Sequence, residues 1–130
     1  MNTKTINQEI IFKASPHEVY EFLMDSQKHS AITGTKADIS REIGGKFSAN
    51  DGYINGENVE LVQDRKIVQT WRGSDWPAGH YSQASFELEE TNEGTKMVFT
   101  QTAVPEQEFE MVSNGWYEYY WNPMKKLLEK

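Results

Sequence analysis

The sequence predicts an α+β domain in which an antiparallel sheet of six to seven strands curves around one long helix at the C-terminal end. Three observations predict it. Apolar residues from about Glu106 to Lys130 recur at helical spacing. Those between Thr35 and Val104 recur at every second position, with turn residues at short intervals. A clearly written helix start separates the first alternating run from the rest.

Taken in order, Ile6, Gln8, Ile10, Phe12 and Ala14 fall on one face of residues 4–14, against Asn7, Glu9, Ile11 and Lys13, which is the pattern of a first strand. Ser15-Pro16-His17-Glu18 follows, with Ser to accept from the N3 amide, Pro to pre-set φ at N1 and Glu to reach back to the cap. Val19, Phe22 and Leu23 continue that helix. A second short helix is predicted from Ser26 to Ile32, stopped by a left-handed Gly34.

From Thr35 the period becomes 2, the mark of an antiparallel meander. Ala37, Ile39 and Arg41 lead to Gly44-Gly45, and Lys46 to Ala49 lead to an Asp51-Gly52 hairpin signal. Tyr53 to Val62, Ile67 to Arg72, Tyr81 to Glu89 and Thr95 to Val104 supply the longer strands. In the last helix Phe109, Val112, Trp116, Tyr120, Met124 and Leu127 form one stripe about 100° wide. Glu106, Glu110, Asn114, Glu118, Asn122 and Lys125 form the wet side, and Lys125, Lys126 and Lys130 suit the negative end of the helix dipole. Gly115 is expected to admit a close backbone, and Pro123 to kink the helix between Tyr119 and Pro123. Only this helix is long enough to cover the apolar sheet face, so the arrangement is a helix-grip, with the two short helices plugging the open end of the curl.

At 130 residues the chain is one expected domain, 1–130. It has no cysteine, which excludes disulfides and thiolate chemistry and agrees with a cytoplasmic location. No signal-like or 18-residue apolar run occurs, so a soluble protein without a membrane span is expected. A net charge of −7, with no cluster of bases, argues against nucleic acid and anionic membranes as partners. Mean hydropathy is low, −0.74, but four Trp, six Tyr and six Phe predict a core of few, large side chains.

Gly44-Gly45-Lys46-Phe47, Asp51-Gly52, Gly56-Glu57, Leu61-Val62, Ile67-Val68, Trp71-Arg72, Trp76-Pro77 with Gly79-His80, and Gly115-Trp116 with Tyr119-Tyr120 resemble the C-terminal domain of the activators of heat-shock protein 90 ATPase. The resemblance runs from about Ile6 to Leu128 and implies a START-like fold, which agrees with the arrangement above. In the family's eukaryotic members this domain is the second of two, and the first supplies much of the ATPase stimulation. Nothing before Ile6 replaces that domain, so chaperone contact rather than complete activation is expected. The wider superfamily implies apolar small-molecule binding, and in some members catalysis on lipid- or polyketide-like substrates.

No nucleophile motif or phosphate-cradling loop is present, and the three histidines, His17, His29 and His80, lack metal-ligand spacing. Neither a catalytic set, a metal nor a cofactor is predicted. His80 could pair with Asp75 as acid and base, or simply cap a backbone carbonyl. Glu57 and Glu60 share a face only if a bulge intervenes. For binding, a cavity between sheet and helix would be walled by Phe47, Ile54, Trp71, Phe86, Met97 and Phe99, by Gln101 as its one orienting polar group, and by Trp116, Tyr120 and Met124. Alternatively these side chains fill the interior. Trp76 in a polar loop, with His80, is the expected protein-partner contact, or else Trp76 staples the loop to the sheet. The expected partners are a hydrophobic small molecule or a chaperone, and the expected state a monomer or weak dimer.

Overall fold

The computed structural model of the chain describes residues 2–129, so Lys130 lies outside the described residues. Strand β1 (Thr3–Phe12) leads to helices α1 (Pro16–Met24) and α2 (Ser26–Thr33). The meander follows as β2 (Asp38–Ile39), β3 (Lys46–Ala49), β4 (Ile54–Val62), β5 (Lys66–Gly73), β6 (Ser82–Thr91) and β7 (Gly94–Pro105). These form one seven-stranded antiparallel sheet in the order β1-β7-β6-β5-β4-β3-β2, a helix-grip fold with the first and last strands paired. Among the described residues, no helix is long and apolar enough to cross a membrane.

The local rules hold at α1. Ser15 Oγ accepts from the Glu18 amide at 3.2 Å while the Glu18 carboxylate accepts from the Ser15 amide at 3.1 Å, completing the capping box. Gly34 ends α2 at φ 74, where a Cβ would be strained. Between β3 and β4 the Asp51-Gly52 hairpin is closed by a four-residue loop, since Ala49 faces Ile54 in the register. Asn50, Asp51 and Gly52 all have positive φ there, and the Asp51 carboxylate accepts from the Lys36 amide at 2.8 Å, tying the loop to the segment after α2.

Curvature comes from irregularities in two ladders. The β4–β5 register slips between Asn58 and Glu60, so Glu57 and Glu60 are both exposed, and Glu60 pairs with Lys66 at 3.4 Å. The β1–β7 register slips between Lys4 and Ile6, near Ala103 at φ 61. Gly56 is required for close approach, since a Cβ there would lie 1.8 Å from the Thr70 carbonyl oxygen.

The chain then forms helix α3 (Phe109–Trp116), a π-turn over Tyr117–Trp121, and helix α4 (Asn122–Leu128) without a break. The irregularity overlaps the Tyr119–Pro123 stretch where a kink is expected, and it takes the form of a π-turn. Pro123 has no N–H for the Tyr119 carbonyl and its ring would crowd that oxygen in a regular helix. The Asn122 amide instead reaches back five residues to the Tyr117 carbonyl. One consequence could not be read from α-helical spacing. Trp121, five residues after Trp116 and off the predicted stripe, turns inward and stacks on Trp116 at 5.2 Å and 15°. Tyr117 and Tyr119 stay exposed.

Candidate functional site

The interior between sheet and helix is filled. Met97, Phe99, Gln101 and Met124 are completely buried, and Phe86, Phe99, Trp116 and Trp121 form one aromatic cluster, with Phe99 and Trp116 centroids 4.5 Å apart. Each such pair adds about 0.5–1.5 kcal/mol beyond the area it buries. Gln101 does point inward, but it is occupied by the protein: its amide donates to Ser82 Oγ at 2.8 Å and its carbonyl oxygen accepts from Trp116 Nε1 at 2.8 Å. Gln8 on β1 mirrors it. Its oxygen accepts from Trp121 Nε1 at 2.7 Å, and its amide donates to the Ser113 carbonyl at 2.9 Å. The two indoles of the C-terminal helix are thus each fixed to a strand by a glutamine.

A void of about 10 Å³ remains in this region, bordered by Phe47, Phe86, Trp71, Trp116, Tyr120 and His29 among others. That is room for roughly one water. His29 was not singled out by sequence reasoning, because its partners lie far along the chain. It is buried, its Nδ1–H donates to the Leu23 carbonyl at 3.0 Å, and its Nε2 accepts from the Tyr120 hydroxyl at 2.7 Å. Burial lowers the His29 pKa and raises that of Tyr120, so both are held neutral. The pair has the chemistry for proton transfer, but His29 borders only this small void, and the Tyr120 hydroxyl is turned to it.

The space lies beside it. An open groove of about 540 Å³ runs between the end of the sheet and the exposed shoulder of α3. Tyr53, Ile54, Trp71, Asp75 and Trp76 form the sheet side, while Met111, Val112, Gly115, Trp116, Tyr119 and Tyr120 form the helix side. Thr33, Thr35 and Asn50 close one end. Gly115 does not admit another backbone, contrary to expectation. A Cβ there would meet only the Tyr119 ring at 3.6 Å, so the glycine leaves the groove wall open.

Of the ten residues expected to wall a cavity, Ile54, Trp71, Trp116 and Tyr120 line the groove. Phe47 and Phe86 reach only the small void, and Met97, Phe99, Gln101 and Met124 border neither. Trp76 is 4% exposed, so it is not displayed on the surface; its loop folds back and its ring packs on Trp71 at 5.4 Å. Gly73 makes this possible, since a Cβ there would lie 2.8 Å from both Trp76 Nε1 and the Tyr53 hydroxyl. His80 Nε2 donates to the Ala103 carbonyl at 2.8 Å and does not meet Asp75. Asp75 accepts instead from the Tyr53 hydroxyl. The Tyr53 pKa is pushed up to about 12, first by burial and then by that bond and the charges of Asp75 and Glu108.

Trp71 and Trp76 enter the hydrogen-bond network through their main-chain carbonyls, which accept from Ser82 Oγ at 2.8 Å and Arg72 Nη2 at 2.5 Å. Among the described residues, no acceptor meets their indole N–H groups. Nor does any group of three or more His, Cys, Asp or Glu side chains among those residues come together as metal ligands would.

Comparison with known proteins agrees with this architecture. The chain is 31% identical over 115 residues to the human activator of 90 kDa heat shock protein ATPase homolog 1, a match covering 88% of this chain and 34% of the relative. It is 36% identical to the corresponding activator homologue of Dictyostelium discoideum, covering 88% of this chain and 30% of that one. The chain therefore spans about a third of the length of the curated relatives it matches. The crystal structure of an HSP90 activator from Plasmodium falciparum superposes with a TM-score of 0.88 at 26% identity, over 98% of this chain and 96% of the other. With residues 13–129 matching the family model, the chain belongs to the Activator of Hsp90 ATPase homolog 1-like family.

Proposed function

We propose that the chain is a non-catalytic binding domain that holds a hydrophobic small molecule in the groove between the sheet end and the C-terminal helix. The observation that carries this reading is the contrast in space: about 540 Å³ in the groove against about 10 Å³ in the interior. The groove is within the usual size for a small-molecule site, and six of the fourteen residues that line it are aromatic. Catalysis is disfavoured by the placement of the titratable groups. His80 caps a carbonyl, His29 borders only the small void and accepts from the Tyr120 hydroxyl there, and Asp75 is engaged by Tyr53.

Gly115→Leu tests it by filling the groove from a position that leaves the core untouched. Wild type should raise the fluorescence of the neutral dye Nile red, and the variant should lose most of that rise while keeping its circular dichroism and melting temperature. Equal binding by the two, or none by wild type, would contradict the proposal.

A second reading is favoured by the relatives, which are named as activators of a heat shock protein ATPase. In that reading the domain contacts a chaperone of the heat-shock protein 90 class, with the Trp76–His80 loop at the contact. Chemical-shift changes in Pro77 to Tyr81 neighbours on adding such a chaperone would support it, and an unchanged spectrum would count against it.

A further inference from the structure

We propose that the groove selects an organic cation: an ammonium group seated between the Asp75 carboxylate and the rings of Tyr53, Trp71 and Trp76, with its apolar body along Ile54, Val112 and Gly115. This deepens the groove reading and rests on it. Asp75 is the one ionisable acid or base among the residues that line the groove, the tyrosines aside, and neither Lys nor Arg is among them. Arg72, one residue from Trp71 in sequence, is held elsewhere, donating to the Trp76 and Pro77 carbonyls.

Two further observations agree with a cation at this place. The Tyr53 hydroxyl donates to Asp75; burial is the main reason it resists ionisation, and that bond and the charges of Asp75 and Glu108 add to it. Glu108, whose charge acts on Tyr53, does not line the groove, but its Oε1 is buried and has no hydrogen-bond donor among the described residues. The aromatic components complete the match. Trp71 packs on Trp76 with centroids 5.4 Å apart and on Trp116 at 5.6 Å, and Tyr119 joins them on the helix side of the groove. Ring faces attract an alkylammonium, most strongly for tryptophan, and bind it with less desolvation than they would a compact hydrated ion. An anionic amphiphile of the same length would meet Asp75 with no compensating base.

Octyltrimethylammonium, octanol and octanesulfonate share one apolar chain and differ in the head group. Calorimetric titration of the wild-type protein should rank them in that order, with the cation about tenfold tighter than the alcohol. Asp75→Asn should remove most of that advantage, bringing the affinity for the cation down towards that for octanol measured in the same variant; Asp75 is exposed, so the substitution does not disturb the core. Added salt should also reduce the advantage, since a carboxylate at an open mouth is screened. Octanol binding as tightly as the cation, or a cation advantage indifferent to both Asp75→Asn and salt, would overturn the inference while leaving the groove reading intact. Failure of all three probes to bind would overturn both.

Discussion

The four tryptophans divide into two pairs that behave differently. Trp116 and Trp121 stack on each other, Trp116 also bordering the groove, and each indole N–H is taken by a buried glutamine, from β7 and β1 respectively. Trp71 and Trp76 also pack together, but at the rim of the groove, and their indole N–H groups have no acceptor among the described residues. The difference teaches where this fold has been closed and where it has been left open. A buried donor without a partner costs about 1–3 kcal/mol, so an interior meant to stay shut must supply one. At an open groove water or a ligand can do so.

The largest effect expected from this contrast is at the closed pair. Trp121→Ala should cost about 3–5 kcal/mol in urea unfolding, because the ring is fully buried and its loss leaves a cavity against Phe99 and Trp116. Trp76→Ala should cost less, since one side of that ring borders the groove. Next, Gln101→Ala and Gln8→Ala should each lower stability by about 1–3 kcal/mol by orphaning an indole N–H. An unchanged unfolding midpoint for either would mean that the interior is wetter than this packing allows.

A smaller effect is set by pH at the wall that the two regions share. Burial depresses the His29 pKa in the folded protein, so below about pH 6.5 the unfolded chain takes up a proton that the folded one resists. Stability should be at its full value above that pH, fall as pH drops through it, and level off once pH passes below the depressed pKa. His29→Gln can still donate to the Leu23 carbonyl and accept from Tyr120. Melting curves of this variant between pH 7.5 and 5 should lack that part of the decline. The smallest effect is at the open wall: Gly115→Ala should stabilise by up to about 1 kcal/mol through helix propensity alone, since its Cβ meets only Tyr119 at 3.6 Å.

Local rules made most of the architecture legible. The capping box at Ser15, the left-handed stop at Gly34 and the alternation of Ile6, Gln8, Ile10 and Phe12 each depend on neighbours within a few residues. What escaped depended on distant partners. The π-turn that brings Trp121 inward is stabilised by Gln8, 113 residues away, and His29 is defined by Tyr120, 91 residues away. Trp76 looked exposed because its loop is polar, whereas the missing side chain of Gly73 gives its ring a place against the sheet. At the candidate site, an inward Gln101 was predictable from strand parity, but its engagement by Trp116 and Ser82 was not. The groove was legible only in part: Trp71, Trp116, Tyr120 and Ile54 were expected, while Tyr53 and Asp75 enter through a loop geometry that periodicity does not describe.

The claim that binding is confined to the groove, beside a closed interior, is tested most directly by the four indole N–H resonances during an octanol titration. Trp71 and Trp76 should move with added octanol while Trp121 stays fixed. Movement of Trp121 together with them, or of none of the four, would contradict the account.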